Sequence, residues 1–365
     1  MNIDVFGSFG FGNLGDEIIP TCVKNLFSSL GQSVITRAFS RYDGLTTSNV
    51  LEYNEYLNSN LTRTLLLCGG GIVENHEMSC LRRAMSKRDQ ENFEILPFAI
   101  SVEPGVRFGV KARLKLIKDM SKFRKVYVRD VLSSQTLKSL APWVDQDVIG
   151  DLGLWCEGSS SELNLDNLPS EYFTFIPSDN WRDDSFISWI SEELIYISEC
   201  LSLPIVLLPM SFLVGDDLKI CRRIYDAVKS KNKKIEIFNF GTINSYRGIT
   251  GEDIAKVVSH AAITISMRLH GCVISYAQRT PFLSLVYHPK LLGFMQTIGW
   301  DYAKIPENLP LKQTTNVYGY RFEALGLSRG DLMRTIPHVL MNQNYDMLEI
   351  YRSKQKHAIK KLFSL

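Results

Sequence analysis

The chain has 365 residues, 45% of them apolar and 22% charged, with 41 Lys and Arg against 39 Asp and Glu and a formal net charge of +2. The length suggests about two domains of roughly 100–200 residues, and the apolar share excludes disorder over most of the chain. The near-balance of charge lacks the basic excess of a dedicated nucleic-acid binder, and no apolar run approaches the about 18 residues of a membrane span.

Met1-Asn-Ile-Asp-Val5 has neither a basic start nor a long apolar run, so no secretory signal is expected. The seven cysteines are scattered through mostly apolar runs with no CxxC pair. They imply a reducing cytoplasm, no disulfide framework and no zinc site.

Strand-length apolar runs alternate with helix-period segments. The first run, Ile3 to Phe6, leads into a Gly-rich loop ending at Gly15. Ile18, Ile19, Cys22, Val23, Leu26, Phe27 and Leu30 then share one helical face, with Gly31 as a stop. Further strand runs are expected at 34–39, 64–68, 95–102, 125–128 and 147–149. Residues 158–169, rich in Ser, Asn and Asp, read as a linker. The alternation restarts with strands at 172–176, 205–209, 235–240, 262–266 and 282–287, and Thr250-Gly-Glu-Asp253 resembles a capping box.

Continuous apolar runs suit strands covered on both faces, as in parallel α/β sheets. The expected architecture is two Rossmann-like domains, 1–157 and 170–330, with parallel sheets facing a central cleft, and a helical tail over 331–365. In that tail Leu348, Tyr351, Ile359 and Leu362 recur at helical spacing beside Arg352, Lys354, Lys356, Lys360 and Lys361. This reads as a helix packed on the body with a solvated basic face. A second reading is contact with an anionic membrane surface, worth only about 1 kcal/mol per basic residue.

Gly10-Phe-Gly12-Asn13-Leu-Gly15-Asp16-Glu17 contains GxGxxG between a strand and a helix. The following acids speak against a dinucleotide site, because they would repel phosphates from the positive helix end. The glycines suit close approach to a neutral ligand, with Asn13, Asp16 and Glu17 available to hydroxyls; plain helix capping by the acids is the alternative. Cys68-Gly69-Gly70-Gly71 ends another strand, with Asn75, His76 and Glu77 beyond it. Glu103-Pro-Gly105 and Arg129-Asp130 end two more; the latter reads as an ion pair opening a helix.

The most informative stretch is Ser266-Met-Arg268-Leu-His270-Gly-Cys272, where a strand ends and a helix begins near Arg268. A guanidinium fork, an imidazole and helix-start amides together make an anion site. Lys290, in Tyr287-His288-Pro289-Lys290, and Arg182, in Ser178-Asp179-Asn-Trp-Arg182, could add cations. His260 suits capping at a helix end.

With these two blocks the sequence resembles the polysaccharide pyruvyl transferase family. One block is Gly10-Phe-Gly-Asn-Leu-Gly-Asp-Glu17; the other runs from Ser266-Met-Arg-Leu-His270 through Pro281, Tyr287, Pro289-Lys290 and Gly293-Phe294. Weaker echoes are Gly69-Gly-Gly71, Val128-Arg129-Asp130 and Leu207-Leu-Pro209-Met. His288 departs from the Asp expected before Pro-Lys, residues 97–103 lack the usual Gly-rich form, and 179–182 fit only loosely.

The resemblance implies a fold like the two-Rossmann glycosyltransferases (GT-B). It implies transfer of a pyruvyl group from phosphoenolpyruvate onto two hydroxyls of a sugar, forming a ketal and releasing phosphate. The donor would be held by Ser266, Arg268, Leu269, His270, Lys290 and Arg182. A sugar or lipid-linked oligosaccharide acceptor would lie along Gly12, Asn13, Gly15, Asp16, Glu17, Gly70, Gly71, Asn75 and Glu103. His270, Arg268 and Asp16 would be catalytic. No cofactor beyond the co-substrate and no metal are expected, since no His, Asp or Glu cluster has ligand spacing. The rival expectations are a nucleotide-sugar glycosyltransferase of the same architecture, an NAD(P) oxidoreductase using GxGxxG, and a non-catalytic sugar-binding relative.

Overall fold

Two parallel sheets organise the chain. The computed structural model describes residues 2–7, 9, 12–40, 50–52, 64–69, 94–102, 114, 117–212, 216–243, 249–286, 288–300 and 329–364. The first sheet contains β1 (Asn2–Phe6), β2 (Ile35–Ser40), β3 (Val50–Glu52), β4 (Thr64–Leu67) and β5 (Glu94–Pro97), in the order β3-β2-β1-β4-β5. A parallel pair, β6 (Lys125–Val128) and β7 (Asp145–Val148), continues beyond β5 through the Ile100–Val128 bridge. The second sheet repeats the order: β10 (Ile237–Asn239), β9 (Ile205–Leu207), β8 (Phe173–Ile176), β11 (Ile263–Ser266) and β12 (Phe282–Ser284). In both sheets the order reverses beside the first strand, and ligands of open α/β sheets bind beyond the strand ends at that point.

The central strands are buried on both faces, as β4 (Leu65, Leu66, Leu67) and β8 (Phe173, Phe175, Ile176) illustrate. The expected strand over 95–102 is shorter than its apolar run. Pro97 ends β5, and Ala99 takes a left-handed φ of 55° that breaks the pleat. Residues 98–102 stay buried because they turn back toward β6, with the Val102 N–H donating to Ser133 Oγ. The short strand β3 was not anticipated.

Among the described residues the first lobe carries α1 (Leu14–Glu17), α2 (Ile19–Ser28) and α3 (Val131–Leu140). A 3-10 turn, Leu152–Trp155, follows β7. The second lobe carries α4 (Asp184–Leu201), α5 (Asp217–Lys231), α6 (Phe240–Ile243), α7 (Gly251–Ser259), α8 (Leu269–Ala277) and α9 (Pro289–Thr297). Thr250 and Asp253 form the expected capping box at α7. The 158–169 segment is fastened rather than loose: Lys256 Nζ donates to the carbonyls of Ser161 and Leu163.

The lobes share one apolar core. Leu14, Ile18 and Cys22 join Ile249, Ile254 and Ala255, with Ile18 lying where a Cβ on Gly251 would be 2.7 Å away. Backbone bonds reinforce this seam: the Leu14 N–H donates to Met210 O at 2.9 Å, and the Phe212 N–H to Gly12 O at 3.0 Å.

The segment after residue 330 divides between the lobes. Helix α10 (Asp331–Asn342) packs on α4 and β12, whereas α11 (Asp346–Phe363) crosses to α2 and the 3-10 turn. Phe363 meets Phe27 edge-on at 5.3 Å. Much of the basic face of α11 is engaged: Arg352 donates to Leu154 O and lies 5.3 Å over the Trp155 ring, and Lys356 lies 5.2 Å over the same ring. Lys360 and Lys361 are exposed. Among the described residues no helix is long and apolar enough to cross a membrane.

Ile359, 0% exposed, anchors α11 to the first lobe. Ile359→Ala should cost about 2–5 kcal/mol by leaving a cavity. The check is a lower denaturant midpoint with an unchanged slope.

Candidate functional site

Helix α8 begins where β11 stops. Arg268 is its N-cap residue, and the Arg268 side chain makes no capping hydrogen bond to the helix start. Ser266 shapes the turn: its hydroxyl donates to Arg268 O at 2.8 Å and accepts the Arg268 N–H at 3.1 Å. The Leu269 side chain is in the core with Leu154 and Phe294, so what Leu269 can offer a ligand is its backbone.

His270 sits at the seam between the lobes and is 7% exposed. Its ring lies against Gly15 of α1; a Cβ there would be 2.2 Å from Nδ1, so the approach requires glycine. Nε2 makes no hydrogen bond among the described residues, and Asp151 Oδ1 lies 3.9 Å from it.

Asp151 comes from the first lobe, just after β7. It caps the 3-10 turn by accepting the Gly153 N–H at 2.8 Å. Its other oxygen is 3.8 Å from Arg129 Nη1. Arg129 also donates from Nε to Asp130 at 3.1 Å, and Asp130 caps α3 by accepting the Ser133 N–H at 2.7 Å. The expected ion pair opening a helix is therefore present, and it also abuts Asp151.

Helix α9 brings Lys290 to this group by packing on α3. A Cβ on Gly293 would lie 2.9 Å from Asp130 Oδ1, and Thr297 Oγ1 accepts the Val131 N–H at 3.0 Å. His288 caps α9, its Nδ1 accepting the Lys290 N–H at 3.3 Å. The imidazole thus performs the capping that an Asp at this position would perform.

Asp16 faces the same charges. Asn13 Nδ2 donates to its Oδ2 at 2.6 Å. Burial pushes the Asp16 carboxyl above the usual carboxylate range, opposed by the nearby His270, Lys290 and Arg129. Glu17 turns the other way and accepts the Gly12 N–H at 3.3 Å; Gly12 itself has a φ of 71°. Asn13 Oδ1 accepts the Gly15 N–H at 3.3 Å.

Arg268, the expected donor cation, is matched inside the protein. Its guanidinium is 16% exposed, pairs with Asp217 through Nε and Nη2, and pairs with Asp179 at 3.1 Å. Asp217, 0% exposed, also accepts the N–H groups of Asp179, Met210 and Ser211. Burial raises its carboxyl, and Arg268 opposes that shift. One carboxylate thus ties three strand-end loops of the second lobe together. Arg182 is exposed; its carbonyl accepts from Arg223, and its guanidinium bonds to none of the described residues. Gly70, Gly71, Asn75 and Glu103 lie outside the described residues.

The sequence reading missed Asp151 and Asp217. The only signal for Asp151 was its place after Gly150, which has a φ of 85° at a strand end. Asp217, the first residue of α5, carries no local signal of its role.

Two substitutions test this geometry. Gly15→Ala should drive a methyl into the His270 ring and cost about 1–3 kcal/mol as overpacking, read as a lower melting temperature. Asp16→Asn should do the opposite at neutral pH. A carboxyl raised in the folded state contributes stability only while protonated, and loses it as pH rises through the folded pKa. The melting temperature of Asp16→Asn should exceed that of the parent at pH 7, and the gap should close as pH falls through that pKa.

No curated protein matches the chain in sequence. Among solved structures, UDP-GlcNAc 2-epimerase from Methanocaldococcus jannaschii aligns over 100% of both chains at 9% identity with a TM-score of 0.61. A putative UDP-N-acetylglucosamine 2-epimerase from Listeria monocytogenes aligns over 100% of this chain and 96% of its own, at 11% identity and a TM-score of 0.59. The pneumococcal O-GlcNAc transferase GtfA, solved with UDP and GlcNAc, aligns over 100% and 98% at 8% identity and 0.56. These likenesses establish the GT-B fold. The polysaccharide pyruvyl transferase family model matches residues 13–289, a span that opens at Asn13 and takes in Asp16, Asp151, Arg268 and His270. The chain belongs to the polysaccharide pyruvyl transferase family and is a transferase.

Proposed function

We propose that this transferase moves the enolpyruvyl group of phosphoenolpyruvate onto two hydroxyls of a sugar, in a polysaccharide or its lipid-linked precursor, forming a pyruvate ketal and releasing phosphate. The observation that carries the reading is the meeting of His270 and the α8 start, from one lobe, with Gly15, Asp16 and Asp151 from the other.

The donor carries a phosphate and a carboxylate, and both need positive partners. The first amides of α8, which the Arg268 side chain leaves uncapped, and the ammonium of Lys290 supply them, beside His270. Arg268 is already matched by Asp217 and Asp179, so its part is to hold the 266–268 turn and the mouth of α8 in shape. His270, as imidazolium, gives a proton to the methylene carbon, which becomes the methyl group. Positive charge develops on the adjacent carbon, and a sugar hydroxyl attacks it. Asp16, whose raised carboxyl makes it a stronger base than an ordinary Asp, takes the hydroxyl proton. Phosphate departs at the α8 start, and as the second hydroxyl closes the ketal its proton leaves with the phosphate.

A neutral polyol suits the first-lobe side, where Gly12, Asn13 and Gly15 bring backbone and amide groups close. Gly70, Gly71, Asn75 and Glu103 belong to the same acceptor side in this reading. A lipid-linked acceptor would draw the protein to an anionic membrane face, where Lys360 and Lys361 add about 1 kcal/mol each.

His270→Ala should lower phosphate release from phosphoenolpyruvate in the presence of acceptor by about 10²–10⁴-fold, while circular dichroism and melting temperature stay close to the parent. Wild-type release by that variant would overturn the reading. So would an enzyme that leaves phosphoenolpyruvate untouched and instead cleaves a nucleotide sugar.

A further inference from the structure

His270 is held from outside its own lobe. The ring belongs to α8 in the second lobe, yet the carboxylate beside Nε2 is Asp151, from the end of the first lobe's sheet. Both side chains are buried, and Nε2 has no hydrogen-bond partner among the described residues. An unpaired buried ring nitrogen is costly, and the carboxylate 3.9 Å away, in ion-pair reach, satisfies it once the two close to hydrogen-bond distance.

Asp151 is itself tightly fixed. Oδ1 accepts the Gly153 N–H at 2.8 Å, and Oδ2 faces Arg129 at 3.8 Å. Its backbone carbonyl accepts Gln355 Nε2 from α11 at 3.1 Å, and Gln355 Oε1 accepts the Trp155 indole N–H at 2.6 Å. The helix that crosses between the lobes therefore buttresses the residue that faces His270.

We propose that Asp151 is the positioning residue of His270, orienting the imidazole from the opposite lobe and keeping a ring proton on Nε2. This rests on the reading of His270 as the proton donor. The proton that leaves for the methylene carbon is then the one on Nδ1, the nitrogen lying against Gly15 and next in the chain to Asp16. The ring returns to its neutral form with Nε2 still protonated toward Asp151. The hydroxyl proton collected by Asp16 is available to recharge Nδ1. Asp16 on α1 feels His270, Lys290 on α9, Arg129 after β6 and Asp151 before the 3-10 turn, and Asp151 in turn lies beside Arg129 and His270. Asp151 Oδ1 lies within ion-pair reach of Nε2, at 3.9 Å. Contacts of this kind often shorten as the catalytic complex assembles.

The test pairs kinetics with the ring itself. Asp151→Asn should lower kcat about 10- to 100-fold, by analogy with the loss when the partner orienting a metal-bound histidine is removed, while KM for phosphoenolpyruvate stays within about twofold. Asp151→Glu, which restores the charge, should recover part of the loss. In selectively labelled protein, the 15N signals of the His270 ring should show the neutral form protonated on Nε2, and Asp151→Asn should shift that tautomer balance. If Asp151→Asn fails to fold, the ring signals of the parent and of Asp151→Glu carry the test, and a neutral ring protonated on Nδ1 overturns the inference. A wild-type kcat with unchanged ring signals in Asp151→Asn also overturns it. Neither result touches the pyruvyl-transfer reading, which stands or falls separately on His270→Ala.

Discussion

The close approach of Gly15 to His270 is the constraint on which the site depends. A helix start in one lobe and a Gly-rich loop in the other can share a reactive centre only if their backbones nearly touch. Glycine at 15 removes the Cβ that would occupy the ring's place. The seam around that contact is built to hold it: Leu14 and Gly12 bond across the lobes to the loop after β9, and Ile18 packs on Gly251. The final helix adds a second tie by running from the second lobe back onto α2 and the 3-10 turn.

Charge in this region is arranged in two groups, each setting one guanidinium against two carboxylates. Arg268 is balanced by Asp217 and Asp179, and Arg129 by Asp130 and Asp151. Such pairing is what makes buried charges tolerable, because an isolated buried ion is far more costly than a hydrogen-bonded pair. It also separates roles. The matched arginines hold loops and helix starts in register, while Lys290, His270 and the open end of α8 offer positive character. Asp16, raised by burial, lies among them as the base of the proposed reaction.

Much of the architecture was legible because parallel sheets leave a plain signature. Strands covered on both faces must be mainly apolar, and β1, β4, β6, β8 and β11 all coincide with such runs, even though β1 buries Asp4 and β8 and β11 bury Thr174 and Thr264. Helix starts were equally readable at the Thr250 capping box and at the Arg129-Asp130 pair. Strand ends were less so: 98–102 is apolar because it is buried, yet Ala99 bends it out of the sheet. In the site, the local groups His270, Asp16 and Lys290 could be named from their positions at helix starts. The partners of Arg268 and His270 could not, since Asp217 and Asp151 lie 51 residues before Arg268 and in the other lobe respectively, and only the fold brings them in. Local patterning marks helix starts; it carries no record of which distant carboxylate meets them.

The most direct test of the central claim is a crystal structure with phosphoenolpyruvate bound. The account predicts the donor at the seam of the lobes, its phosphate against the first amides of α8 and near Lys290, and its methylene carbon facing the His270 ring. A donor bound away from that seam, or one whose methylene carbon points away from His270, would contradict it.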